Sequence, residues 1–92
     1  MAMRKFPLGQ LVATRGALAA IEGIADGFWP YITRHSKGDW GDVCQEDRLE
    51  NELSLKHDLR LLSAYTLPGG KKIWIITEAD RSATTILLPE EY

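Results

Sequence analysis

A single cysteine, Cys44, leaves this chain without an internal disulfide or a cysteine zinc cluster. No apolar run approaches the roughly twenty residues needed to cross a bilayer. The segment Met1–Pro7 starts with charge but has no apolar core of signal-peptide length behind it. These absences predict a cytoplasmic protein without a membrane role. Basic residues never run beyond two, as in Arg4-Lys5 and Lys71-Lys72, and the formal charge is -2. Binding to nucleic acid is therefore not supported by charge, since unspecific polyanion binding needs a basic stripe. Also missing are G-x-x-x-x-G-K-[ST], G-x-G-x-x-G after a strand, H-E-x-x-H and G-x-S-x-G. ATP hydrolysis, dinucleotide redox chemistry and serine hydrolysis have no sequence basis, and no cofactor is implied.

What is present is an ordinary globular composition, 45% hydrophobic and 26% charged, in 92 residues. That length sets one domain over residues 1–92. Its clearest pattern is C-terminal. Leu59–Leu67, Lys72–Glu78 and Ala83–Leu88 are β-rich runs joined by Pro68-Gly69-Gly70-Lys71 and Ala79-Asp80-Arg81-Ser82. They predict an antiparallel β-meander over 59–88. A four-residue loop at Pro68–Lys71 pairs Tyr65 with Trp74 and Ser63 with Ile76, and sets Leu61 opposite Glu78. The second turn pairs Ile76 with Thr85 and Trp74 with Leu87. Both faces of such a sheet are largely apolar, so either helices cover both or one face meets a partner.

Ahead of the meander, residues 8–13 suggest a short strand. Thr14 then offers an N-cap to a helix over 15–25, with Leu18, Ile21 and Ile24 on its apolar stripe. Asp26-Gly27 ends it. Phe28, Trp29 and Ile32, around Pro30, predict a short helix from Trp29 to His35 that supplies much of the core. Asp42 with Gln45 resembles a capping box opening a third helix, Val43–Leu53, held by Leu49 and Leu53. The expected fold class is α+β, with an antiparallel sheet of three to four strands against two to three helices.

Two groups of residues could carry chemistry. In His35–Asp42, a histidine lies near Asp39, Trp40 and Asp42, which could form a base with its orienting acid or a set of metal ligands. The spacing is no known metal signature and no metal site is assigned; the plainer reading is a helix-end histidine followed by a turn whose Trp40 caps the core. In the second group, Arg60, Glu78, Asp80, Arg81, Thr84 and Thr85 share one rim of the meander. With His35 brought in, these are the residue types of a metal-independent ribonuclease: His35 and Glu78 as acid and base, Arg60 and Arg81 as phosphate clamp. The plainer reading is an ion-paired strand end with Asp80 shaping the turn. Asp39, Trp40, Asp42, Tyr65 and Trp74 are the candidate binding residues, Trp40, Tyr65 and Trp74 as core or interface anchors.

Phe6-Pro7-Leu8-Gly9-Gln10 with Ala13-Thr14, His35 through Asp42, Glu46-Asp47, Leu61–Tyr65 and Lys72–Tyr92 resemble small bacterial proteins described as plasmid-related. The most specific part is Ile75–Ser82 with Thr84–Pro89. Some of those proteins carry a label as a type I restriction subunit. Such subunits are far larger, and their cofactor and catalytic motifs are missing here. The resemblance implies a mobile-element setting and no named activity. Two functional expectations follow. One is a non-catalytic accessory domain that binds a protein partner or forms a homo-oligomer. The other is a small toxin-like nuclease.

Overall fold

The meander forms, with its first hairpin one residue out of the expected register. A computed structural model describes residues 4–92 of the chain. Its elements are β1 (Gln10–Ala13), α1 (Arg15–Ile21), α2 (Trp29–Ser36), α3 (Gln45–His57), β2 (Leu61–Thr66), β3 (Lys72–Thr77) and β4 (Ala83–Leu87), followed by a 3-10 turn at Pro89–Glu91. The sheet runs β1-β4-β3-β2, antiparallel except that β1 lies parallel to β4. The fold is α+β, as expected, with one parallel pair that the sequence reading did not anticipate.

In the β2–β3 hairpin, Leu67 N–H donates to Lys71 C=O and Gly70 N–H to Leu67 C=O, so the loop is the three residues 68–70. Gly69 and Gly70 both take positive φ, 97° and 99°, which glycine adopts at little cost. The closer loop pairs Tyr65 with Ile73, Ser63 with Ile75 and Leu61 with Thr77, not with Glu78. A one-residue slip exchanges faces. Leu61, Ser63 and Tyr65 therefore share the helix-covered face with Ile73, Ile75, Thr77, Thr84 and Ile86. Leu62, Ala64, Trp74, Ile76 and Leu87 lie on the other. The β3–β4 register is the expected one, with Trp74 against Leu87 and Ile76 against Thr85.

The helices also differ in extent and in what they bury. Thr14 caps α1 by accepting the Ala17 N–H, but the helix stops at Ile21. Gly23, at φ 83°, turns the chain earlier than Asp26-Gly27. Ile32 of α2 is buried and Phe28, just ahead of the helix, is half-buried, whereas Trp29 is 63% exposed and contributes little to the core. The core is instead closed by Phe6, Leu8, Trp40 and Leu67 with Leu61, Tyr65, Ile73, Ile75, Ile86 and Leu88.

The third helix begins at Gln45 behind Cys44, without a side-chain cap, and no Asp42–Gln45 capping box forms. Asp42 is occupied elsewhere: its N–H donates to Ala64 C=O and its carboxylate accepts from Thr66 Oγ1. Nor do Leu49 and Leu53 hold α3; Leu49 is 59% exposed, and the buried residues are Asn51 and Ser54. The reason is what α3 covers. It lies along the edge strand β2, where bare backbone groups need polar partners. Asn51 Nδ2 donates to Leu62 C=O at 2.8 Å and Asn51 Oδ1 accepts the Leu62 N–H at 3.0 Å. One side-chain amide thus stands in for a neighbouring strand. Two residues on, Ala64 N–H donates to Trp40 C=O and Ala64 C=O accepts from Asp42 N–H. Gly41 forms the bridge between them, and a Cβ there would sit 2.0 Å from the Ala64 oxygen. The β2 edge is closed.

Replacing Asn51 with Leu leaves both Leu62 groups unpaired under the helix. Urea unfolding of Asn51→Leu is expected to show a loss of roughly 2–4 kcal/mol against the parent chain, with an unchanged fold by circular dichroism.

Candidate interaction edge

The residues proposed for chemistry do not form an open site. His35 is 0% exposed, on the inward face of α2. Its Nδ1 lies 2.5 Å from Ser63 Oγ and its Nε2 lies 2.8 Å from Thr77 Oγ1. Thr77 Oγ1 is 2.7 Å from Thr84 Oγ1, which donates to Leu8 C=O at 2.7 Å. That terminal carbonyl can only accept, and it fixes every proton in the series. Thr84 spends its hydrogen on Leu8, so Thr77 must donate to Thr84. Thr77 then accepts from Nε2–H, and Nδ1 accepts from Ser63. His35 is the neutral Nε2–H tautomer. Phe6 and Trp40 meet the ring edge-on at 5.3 and 5.7 Å and shut it from solvent. Burial holds the imidazole far below its usual range, down to about 3. With both nitrogens engaged and no path to water, the geometry gives His35 no role as an acid or base.

The rest of the rim is structural in its contacts. Arg60 approaches Glu78 at 3.9 Å, both half-exposed, and its Nη1 donates to the Tyr92 hydroxyl. Arg81 takes φ 61° and points its guanidinium back into the chain. It donates to the carbonyls of Leu59, Glu78, Ala79 and Ser54, pinning the β3–β4 turn to the end of α3. Asp80 accepts the Ser82 N–H and shapes that turn. Asp39 and Arg34 form a two-point ion pair at 2.7 and 3.2 Å. The Arg34 bonds hold the Asp39 carboxyl below its usual range. Asp39, Asp42 and His35 each have separate partners and do not converge.

Of the aromatic binding candidates, two are core. Trp40 is buried and donates its indole N–H to Glu52. Tyr65 is buried and donates its hydroxyl to Asp39 C=O, and burial raises its pKa. Trp74 is half-buried on the sheet face away from the helices, edge-on to Tyr92 at 5.5 Å. Arg60, Leu62, Trp74, Ile76 and Tyr92 line a shallow cavity of about 250 Å³ there.

The other edge of the sheet is differently furnished. Gln10 N–H donates to Ser82 C=O and Thr14 N–H to Ile86 C=O, so the even-numbered residues of β1 turn their backbone toward β4. Alternation turns the N–H and C=O of Leu11 and Ala13 outward. Among the described residues nothing bonds to them. Leu11, Val12, Leu18 and Trp29 are all exposed around this edge. Beside it runs a groove of about 360 Å³ whose lining, Asp26 apart, is apolar, with Ala13, Phe28, Ile32 and Ile86 among its walls. The sequence pattern predicts Leu18 on an apolar stripe and Trp29 in the core, and the structure exposes both. Only the shortness of α1 and the parallel placement of β1 leave them on the surface.

The buried imidazole makes stability depend on pH. An unfolded chain takes up a proton at His35 near pH 6.5, which the folded one refuses until about pH 3. Its stabilising contribution is therefore present above pH 6.5 and is lost as the pH drops through that window, by roughly 2 kcal/mol between pH 7 and 5. Urea midpoints between pH 7 and 5 should show this slope in the parent chain and lose it in His35→Gln.

No protein-family model, curated protein or solved structure matches this chain.

Proposed function

We propose that this domain works without catalysis, as a protein-interaction module that self-associates through the β1 edge. The observation that carries this is the contrast between the two edges of one sheet. At β2, the outward groups of Leu62 and Ala64 are bonded by Asn51, Trp40 and Asp42. At β1, the equivalent groups of Leu11 and Ala13 have no partner among the described residues and are framed by exposed apolar side chains. An open apolar edge is an aggregation hazard that proteins ordinarily blunt with charge, proline or a covering element. Here one edge is elaborately covered and the other is left apolar, as strand addition requires. A mobile-element accessory role, which the resemblance to plasmid-related proteins implies, is compatible with such a module.

Light scattering on the purified chain tests the proposal. The apparent mass should rise from one chain toward a multiple of it as concentration increases. Leu11→Lys puts a charge on the edge at an already exposed position, so it should stay monomeric with stability within about 0.5 kcal/mol of the parent. Leu49→Lys, on the exposed side of α3, should associate like the parent. A parent chain that is monomeric at all concentrations, or a Leu11→Lys chain that associates normally, overturns the reading.

A further inference from the structure

Resting on self-association through β1, we infer that the occupant of the edge is one second copy, paired antiparallel about a two-fold axis at Val12. Two copies brought together on the same strand by a two-fold perpendicular to the sheet must run antiparallel. The register then follows from which groups are available. Centred between the two Val12 residues, Leu11 of each copy faces Ala13 of the other. In an antiparallel ladder each such pair exchanges two N–H···O=C bonds. The two pairs together consume all four outward groups of each edge. Centring on Leu11 instead would set Ala13 against Gly9, which lies before the strand with φ 66°. Centring on Ala13 would set Leu11 against Arg15, the first residue of α1. Neither leaves a second bonded pair, so the Val12-centred register alone uses the whole edge.

The side chains agree with that register. Leu11 and Ala13 lie on the helix-covered face with Thr84 and Ile86, their partners on β4. Opposed residues share a face, so each exposed Leu11 comes to lie over the small Ala13 of the other copy. Ala13 is part of the lining of the groove between β1, α1 and α2. A large side chain meets a small one at the wall of an apolar recess, twice by symmetry. On the opposite face Val12 meets Val12. No charged residue lies within β1. The assembly closes at two copies, because joining a further chain would need a β2 edge, and Asn51 with residues 40–42 occupies it. The product is one continuous eight-stranded sheet ordered β2-β3-β4-β1-β1-β4-β3-β2.

Disulfide trapping reads the register separately from the association. In a Cys44→Ser background, Val12→Cys places two thiols at the axis in a non-hydrogen-bonded pair, with Cα atoms about 4.5 Å apart. That spacing falls within the disulfide range of about 4.4–6.8 Å. Under mild oxidation most of the Val12→Cys chain should become covalent dimer, while Leu49→Cys, more exposed still and on α3, stays largely monomeric. Light scattering of the uncrosslinked parent should plateau at twice the chain mass. A plateau at two copies without Val12→Cys trapping overturns this register and leaves self-association standing. A mass that climbs past two copies overturns the closure. A strictly monomeric parent overturns both this inference and the proposed function.

Discussion

One enclosed imidazole ties the helix layer to the sheet. His35 reaches from α2 to Ser63 on β2 and Thr77 on β3, and through Thr77 and Thr84 to the Leu8 carbonyl just ahead of β1. Five segments of the chain are tied by one proton-ordered series of hydrogen bonds. Left unpaired, any of these groups would cost on the order of 1–3 kcal/mol, so the register that pairs them all is strongly favoured over its neighbours. A slip of one residue at β2 would carry Ser63 to the far face and strand the Nδ1 acceptor.

The edges follow from that register. With Ser63 and Tyr65 facing the helices and bonded into β3, the backbone of Leu62 and Ala64 is left on the outer side of β2. Asn51 and the 40–42 segment meet those groups there. At the other end, Thr84 draws Leu8 into place and Glu91 fixes the start of α1. The Glu91 carboxylate accepts from Thr14 Oγ1 and from the Gly16 and Leu88 N–H groups, and those bonds hold it ionised below the usual carboxyl range. The chain thus leaves β1 immediately after Ala13. A strand of four residues remains, too short to be covered by its own helix and open along one side.

Much of this was legible in the residues, and what was not has definite causes. The meander, the Thr14 cap and the proline-started α2 follow from local preferences that tertiary structure did not override. The hairpin register was not legible because Pro68-Gly69-Gly70-Lys71 accommodates a three- or a four-residue closure, and the choice between them rests on His35 across the core. The α3 contact was missed because apolar spacing at Leu49 and Leu53 is the usual mark of a buried face. This helix covers a polar strand edge, and the signal for it is a lone asparagine among charged residues. His35 was singled out for its chemistry. The serine and two threonines that neutralise that chemistry lie 28 to 49 residues away, on alternate positions of strands whose pairing had first to be known. The rim of Arg60, Glu78 and Arg81 did come together, but as an ion pair and a set of carbonyl contacts around a turn.

One edge of the sheet is sealed, and the other is proposed to receive a copy of itself. Amide hydrogen exchange, followed residue by residue at low and high protein concentration, tests it most directly. The Leu62 amide should be protected at both concentrations, whereas those of Leu11 and Ala13 should exchange freely in the dilute chain and become protected together in the concentrated one. Leu11 and Ala13 amides whose exchange does not change with concentration would contradict it.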